Sequence, residues 1–378
     1  MKLSLLSKYR TYIMGAAMIW VMWFHSLFTG KTDVFHFIHD IGFYGVDMFL
    51  MVSGLGLYFS MRKSKNALDF YKKRAIRILP AYLIVVLAWY LFFKTDVSTG
   101  DKILSILGIN YFRGTVYSIP ERFDWFIPTL LLFYLLVPLY DKLFQKAAIK
   151  WKFTCLACLI SPILCIVTYH THMQPLYGSI VRIPIFLIGY NIGWFLYEKK
   201  EEQKGSWMVY IPLMTVGLIA GYYFQNVICG AVPNTVWGIN AYPATFVAPG
   251  ISILIALLVM FAHKYLKIVG KIITLPFYIC GRYSLEIYLI HQRLMTIVNG
   301  DSAVQLRNAV ISKVGLGGYY FAIALATVAI AAALHELVAL VTRLIQGKGR
   351  KKPENTEEKK EAETADTEAT VNAGSAAV

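Results

Sequence analysis

The sequence predicts an all-α polytopic membrane protein, a helical bundle with about ten transmembrane helices. Hydrophobic residues make up 57% of the 378 residues and charged residues only 16%, which is outside the range of ordinary soluble domains. A series of apolar runs is long enough to cross a bilayer. Strongly basic connections alternate with connections that carry little positive charge, as the loops of membrane proteins do.

The apolar runs give the order of the predicted helices. A transmembrane helix needs about 20 predominantly apolar residues, and ten runs come close to this length. The first run lacks a small-residue cleavage site and is followed by further spans, so we expect it to be retained as a helix rather than removed as a signal peptide. The predicted spans cover residues 12–28, 42–61, 75–93, 124–140, 152–169, 179–197, 206–224, 244–263, 277–297 and 315–344.

The charge of the connections predicts the orientation of the bundle. Residues 61–77, 141–152, 197–206 and 263–271 are rich in Lys and Arg, whereas residues 169–179 carry none. Basic loops stay in the cytoplasm, so an even number of spans puts both termini there, in a multi-pass protein of the cell membrane. This topology also accounts for the net charge of +15, and we expect no nucleic-acid partner.

The C-terminal segment differs from the rest of the chain. Residues 347–378 mix both charges and have almost no bulky apolar side chains, which is typical of disorder. We therefore divide the chain into a transmembrane domain, residues 1–346, and a disordered, charged cytoplasmic tail, residues 347–378.

The cysteines indicate neither disulfides nor a metal site. Four of the five, Cys155, Cys158, Cys165 and Cys280, lie in predicted spans. Cys155 and Cys158 are spaced for one helical face, but no His or further Cys lies near them in sequence. We interpret the pair as packing residues and predict no metal.

Two polar residues in the first two spans require an explanation. His25 lies about 5 Å below the outer end of the first span, and Asp47 lies about 8 Å deep in the second, at 1.5 Å per residue. An ionisable group at membrane depth is costly and usually has a partner or a function. We expect the two to meet, either as a general base oriented by a carboxylate or as a purely structural pair.

His291 is a third polar residue at this level. It falls near the outer end of the predicted ninth span, on the same side of the membrane as His25. Histidines near an interface are often structural, but two at equal depth favour a shared site.

A second group of polar residues lies at the cytoplasmic side. Arg74 and Arg77 are spaced for one helical face where the third span leaves the cytoplasm. Arginine side chains bind phosphate through two parallel hydrogen bonds. Positive-inside anchoring would explain the same charges without any ligand.

Together these residues carry a resemblance to a known family. His25 is followed by "GFYGVDMFLMVSG", "FYKKRAIRILPAY", "WFIPTLLLFYLLVP", "RIPIFLIGYNIGW" and "GRYSLEIYLIH". This order resembles the integral-membrane acyltransferase 3 family, which includes O-antigen and peptidoglycan O-acetyltransferases, over about residues 5–344. The positions that match the family pattern are His25, Asp47, Ser53, Arg74, Arg77, Tyr134, Arg182, Gly189 and His291.

The resemblance implies a ten-helix membrane enzyme. It would take an acyl group, commonly acetyl, from cytoplasmic acetyl-CoA or another acyl-CoA and transfer it to a hydroxyl of an extracytoplasmic carbohydrate or cell-envelope glycan. The catalytic set would be His25, Asp47, Ser53 and His291, with Ser53 or Tyr288 as donor to the oxyanion. The acyl-CoA set would comprise Arg10, Arg74, Arg77, Arg182 and Tyr288.

One departure from the family pattern concerns the donor site. The family has an arginine eleven positions before the first-span histidine, and this chain has Met14 there. Arg10 lies one helical turn away on the same face, so its long side chain is expected to take over part of that role.

Two other functions stay open from the sequence. A glycolipid or polysaccharide transporter also uses intramembrane His, Asp and Arg, although no internal repeat of the kind many transporters have is evident. A non-catalytic relative, acting as a sensor or an assembly partner, is favoured by Met14.

Overall fold

The computed structural model describes residues 3–29, 32–93, 97–113, 125–170, 176–199, 207–223, 227 and 241–345. In these ranges the chain forms helices and no strand. The prediction of an all-α polytopic bundle is therefore confirmed. The predicted tail, residues 347–378, lies outside the described residues.

Seventeen α-helices follow one another in the described ranges, with a short 3-10 helix at Asp301–Ala303 before the last. The last helix is interrupted at Gly315, whose φ of 74° lies in the left-handed region that glycine tolerates. The helices are α1 Ser4–Lys8, α2 Arg10–Phe24, α3 Asp33–Asp40, α4 Tyr44–Lys63, α5 Ala67–Phe92, α6 Thr99–Ile106, α7 Asn110–Arg113, α8 Phe126–Lys146, α9 Lys150–Cys158, α10 Ile160–His170, α11 Tyr177–Ile180, α12 Ile183–Glu198, α13 Trp207–Tyr223, α14 Ala244–Tyr265, α15 Lys267–Arg282, α16 Ser284–Asn299 and α17 Val304–Ile345.

Seven helical segments in the described residues are long and apolar enough to cross a membrane. They coincide with seven of the ten predicted spans. The segments are Tyr44–Lys63, Ala67–Phe92, Phe126–Lys146, Lys150–Thr168, Tyr177–Glu198, Ala244–Tyr265 and Asp301–Leu344. The first and seventh predicted spans correspond to the shorter helices α2 and α13, of 15 and 17 residues.

The prediction of one continuous ninth span, residues 277–297, is wrong. The helix breaks at Tyr283, which leaves α15 on one side and α16 on the other. Just before the break the end of α15 crosses α2 closely, since an added Cβ on Gly281 would lie 1.8 Å from the carbonyl oxygen of Thr11.

Helix α4 lies at the centre of the bundle. Buried residues make up 72% of its apolar segment and 78% of the segment that contains α12, against 33% for α5. Burial on nearly all sides identifies α4 and α12 as core helices. The exposed apolar side chains of the outer helices, such as Leu91, Leu135 and Ile163, are suited to contact with lipid.

Glycines allow α4 and α12 to touch backbone to backbone. An added Cβ on Gly189 would lie 2.1 Å from the carbonyl oxygen of Met51, and one on Gly54 would lie 2.3 Å from that of Phe186. Small residues at such contacts are the usual means by which membrane helices gain packing contacts without a hydrophobic driving force. Because Gly54 follows Ser53, this contact also fixes where the Ser53 side chain points.

We expect Gly189→Val to destabilise the bundle by at least about 2 kcal/mol, because the new side chain meets backbone that has no room to move. Gly100→Ala is the matched control, since an added Cβ there meets nothing closer than 4.0 Å. Thermal unfolding of both variants in detergent measures the difference. Equal stability of the two would contradict the close α4–α12 contact.

Candidate functional site

A cavity lies among α2, α4, α5, α8 and α16, with polar groups toward one end. Along α4, Phe49 lines the cavity one turn before Ser53 and two turns before Gly56. Along α8, Phe126 and Leu130 line it before Tyr134. Because α4 and α8 both run from the apolar residues to the polar ones, the cavity has an apolar end and an arginine-lined end.

Three guanidinium groups line the arginine end, from Arg10, Arg74 and Arg77. Arg74 donates a hydrogen bond to Ser60 Oγ at 2.9 Å and also interacts with Tyr134. Among the described residues none of the three forms an ion pair with a carboxylate. Like charges that share a cavity without counter-ions repel one another, so this end is suited to an anion.

Arg10 reaches the cavity by lying against Gly56. An added Cβ on Gly56 would be 3.0 Å from Arg10 Nη1, so the guanidinium lies over the glycine. Met14, one turn further along α2, lines the same cavity. The structure thus places Arg10 and Met14 on one wall, as their spacing predicted.

Tyr288 lines the cavity from α16 and packs beside the apolar end. Its ring centroid lies 5.0 Å from that of Phe126, and its hydroxyl oxygen accepts a hydrogen bond from the Phe126 backbone N–H at 3.3 Å. Ser53 lies further toward the arginines, with its hydroxyl 3.0 Å from the Tyr134 hydroxyl. The two hydroxyls proposed as oxyanion donors therefore occupy different parts of one cavity.

The two histidines lie together just beyond Tyr288. The ring centroids of His25 and His291 are 5.2 Å apart, and that of His291 is 5.7 Å from Tyr288. The side-chain amide nitrogen of Gln292 lies 2.7 Å from His25 Nε2 and 3.0 Å from His25 Nδ1. The prediction that both histidines occupy one level of the bundle is confirmed.

Asp47 does not meet His25, and the predicted His25–Asp47 pair is wrong. Asp47 Oδ1 lies 3.3 Å from Nε of Arg182, with side-chain exposures of 1% and 4%. Arg182 also donates to the Gly178 carbonyl oxygen and lies over the Trp125 ring at 4.7 Å. The ion pair joins α4 to the start of α12.

The direction in which each residue points explains the error. Depth alone put His25 and Asp47 within reach, but the α2–α4 contact is made by Gly45 against Ala17 and Val21. Asp47 follows Gly45 by two residues and therefore points away from α2, toward α12. His25 ends α2 on the side that faces α16.

The cavity collects five predicted site residues, Arg10, Ser53, Arg74, Arg77 and Tyr288. His25 and His291 lie beside its apolar end, whereas Asp47 and Arg182 form their separate ion pair. Gln292 was not predicted. Its position next to His291 in "YLIHQ" was visible, but a lone glutamine has no spacing that marks it as a histidine partner. In the described residues no group of three His, Cys, Asp or Glu side chains is placed to hold a metal.

The structure predicts that Asp47→Ala destabilises the protein by about 3 kcal/mol, since it leaves the Arg182 guanidinium buried without its counter-ion. Asp47→Ala combined with Arg182→Met should recover most of that loss, as removal of both charges leaves none unpaired. Unfolding of the single and double variants in detergent tests this. A double variant less stable than Asp47→Ala would show that the pair does not work in this way.

The comparisons with known proteins agree with the resemblance found in the sequence. The model of the acyltransferase 3 family, described as an acyltransferase domain, matches residues 12–336, which contain every predicted site residue except Arg10. No curated protein and no solved structure gave a match. The match extends over most of the chain, through the helices that build the cavity and the histidine pair. The chain belongs to the acyltransferase 3 family, and it is a multi-pass membrane acyltransferase.

Proposed function

We propose that this protein moves an acyl group, acetyl in the first instance, from cytoplasmic acyl-CoA to a hydroxyl of an extracytoplasmic carbohydrate or cell-envelope glycan. One observation carries the proposal: a single cavity runs from three arginines to Tyr288, whose ring lies beside His291, and His291 in turn lies beside His25. Phosphate recognition and proton transfer, the two requirements of this reaction, thus occupy opposite ends of one cavity.

The arginine end is suited to the phosphates of acyl-CoA. Arg10, Arg74 and Arg77 supply fixed positive charge without carboxylate partners in the described residues, and guanidinium groups pair well with phosphate oxygens. The connection from α4 to α5, with Lys63 at the end of α4 and Lys65 in the loop, is in the strongly basic set, so we assign this end to the cytoplasm. With this orientation the protein spans the cell membrane and both of its termini lie in the cytoplasm.

The apolar end is suited to the acyl thioester. Met14, Phe49, Phe126 and Leu130 line it, and they match the pantetheine arm and a short acyl group better than they match water. Tyr288 is the preferred donor to the oxyanion, because its ring lies beside His291 whereas the Ser53 hydroxyl lies beside that of Tyr134.

His25 is the proposed base for the acceptor hydroxyl. It ends α2 at the level we assign to the outer side, and its partner in the structure is Gln292, not Asp47. An amide can hold the imidazole ring in place without adding a charge. Transfer requires that His25 accept the hydroxyl proton while oxygen attacks the thioester carbonyl.

Replacement of Arg10, Arg74 or Arg77 by Gln should weaken acyl-CoA binding about 10- to 100-fold each, because a hydrogen bond to a charged group contributes about 1.5–3 kcal/mol. Titration of acyl-CoA into purified protein measures this. Lys8→Gln is the control, a neighbouring exposed cation outside the cavity lining. In the Arg10→Ala background, Met14→Arg should restore binding by returning a guanidinium to the cavity.

Equal binding by all three arginine variants and Lys8→Gln would contradict the donor assignment. That result would favour a transporter or a non-catalytic relative, since neither requires phosphate recognition at this position. Loss with Arg74→Gln and Arg77→Gln, but not Arg10→Gln, would keep the donor site and remove Arg10 from it.

His25→Ala should lower kcat by about 10²- to 10⁴-fold, the usual contribution of a general base, while acyl-CoA binding stays unchanged. Gln292→Ala should lower kcat less, since it removes orientation and leaves the base. Release of CoA thiol in the presence of a glycan acceptor measures the rate. His36→Ala, an exposed histidine of α3, is the control. Near-normal transfer by His25→Ala would show that another group is the base.

A further inference from the structure

One ring nitrogen of His291 is buried without a hydrogen-bond partner among the residues that the structure describes. His291 has no exposed surface, and its Nδ1 lies 3.1 Å from the carbonyl oxygen of Ile287 and 2.8 Å from that of Tyr288. A carbonyl oxygen only accepts hydrogen bonds, so Nδ1 must carry the proton and Nε2 must hold a lone pair. Among the described residues Nε2 has no hydrogen-bond partner.

A buried nitrogen without a hydrogen-bond partner lowers the stability of the fold, and its retention therefore points to a function. A buried acceptor left without a donor costs about 1–3 kcal/mol, and protein cores seldom retain one. The tautomer of the neutral ring is set by the helix backbone itself, because the Ile287 and Tyr288 carbonyl oxygens hold the proton on Nδ1 and leave the lone pair on Nε2. The helix thereby holds a neutral, unprotonated nitrogen ready inside the bundle.

His291 also neighbours both parts of the proposed reaction. Its ring centroid lies 5.2 Å from that of His25 and 5.7 Å from that of Tyr288, which lines the cavity. The three rings are therefore neighbours, and a proton can pass between positioned groups directly or through one water. The acceptor proton starts beside His25 and must end on sulfur in the cavity.

We propose that Nε2 of His291 carries the proton from the acceptor hydroxyl to the leaving sulfur, an inference that rests on the proposed acyl transfer. The hydroxyl oxygen bonds to the thioester carbonyl carbon as His25 takes its proton, and the carbon–sulfur bond then breaks. His25 passes a proton through one intervening water to Nε2 of His291, which delivers it to the thiolate. The products are an ester and a free thiol, and both imidazoles return to neutrality.

His39 shows what a structural histidine looks like in the same protein. It is also buried, but its Nδ1 lies 3.0 Å from Asp40 Oδ1 and its Nε2 lies 3.1 Å from the Ser26 carbonyl oxygen. Both of its nitrogens therefore have partners. His39 provides a matched control for a histidine that only holds the fold.

The test compares His291→Asn with His39→Asn in the full-length protein. An asparagine amide can still donate to the Ile287 and Tyr288 carbonyl oxygens, but it places no atom at Nε2. We expect His291→Asn to lower kcat at least 100-fold with an unchanged Kd for acetyl-CoA, while His39→Asn stays within threefold of the wild type. His291→Gln, which restores an acceptor oxygen near Nε2 but cannot carry a proton, should stay inactive.

The outcomes separate this inference from the proposed function. If the wild type is active and either His291→Asn or His291→Gln has a kcat near the wild-type value, the proton-carrier role is overturned. Transfer would then proceed without a group at this position that can carry a proton. A wild type that neither binds nor uses acyl-CoA would instead overturn the proposed function. If both variants fail to fold, the kcat of the wild type is measured in mixtures of H₂O and D₂O to count the protons that move in the transition state. A curved dependence on deuterium fraction supports two protons in transit, and a straight line contradicts them.

Discussion

The close contact between α4 and α12 is the constraint on which the rest of the structure depends. Gly54 and Gly189 let the two backbones meet, and the Asp47–Arg182 pair joins the same helices near their starts. Backbone contact fixes both the distance and the rotation of α4, which a contact through long side chains would not do. With α4 fixed, Ser53 and Gly56 face the cavity and Asp47 faces away from it. The separation of the buried ion pair from the arginine-lined cavity therefore originates in the placement of glycines.

The charged side chains that the structure describes inside the bundle fall into a paired set and an unpaired set. The Asp47–Arg182 pair is neutral as a unit and is fully enclosed, so it contributes a fixed geometry at the cost of desolvation. The arginines of the cavity have no such compensation among the described residues, and they lie where an incoming polyanion can supply it. Near the apolar end the polar groups are two imidazoles and an amide, none of which carries a permanent charge, and this suits an environment where such a charge would be expensive.

Features that depend on composition and on the rise of a helix, such as the spans and the depth of a residue, could be predicted from the sequence. The direction in which a side chain points from its helix could not. Apolar runs predicted the helical class and most spans, and depth counting put His25 and His291 at one level. The partner of Asp47 could not be predicted in this way, because two residues at equal depth can face opposite directions. The break at Tyr283 and the contact of Gln292 with His25 were missed as well, because neither has a signature in composition or spacing.

The contact of Arg10 with Gly56 shows how a guanidinium one turn away from Met14 can still line the same cavity. Arg10 and Met14 differ by one turn on one face of α2, so a side chain several carbons long can place its guanidinium in the same cavity from either position. The shift requires that the opposite helix leave room, and Gly56 of α4 does so at the point where Nη1 lies. Met14 then adds apolar surface to the wall instead of charge. The departure from the family pattern at Met14 therefore leaves three guanidiniums at the mouth of the cavity, with one of them supplied from a turn earlier in the chain.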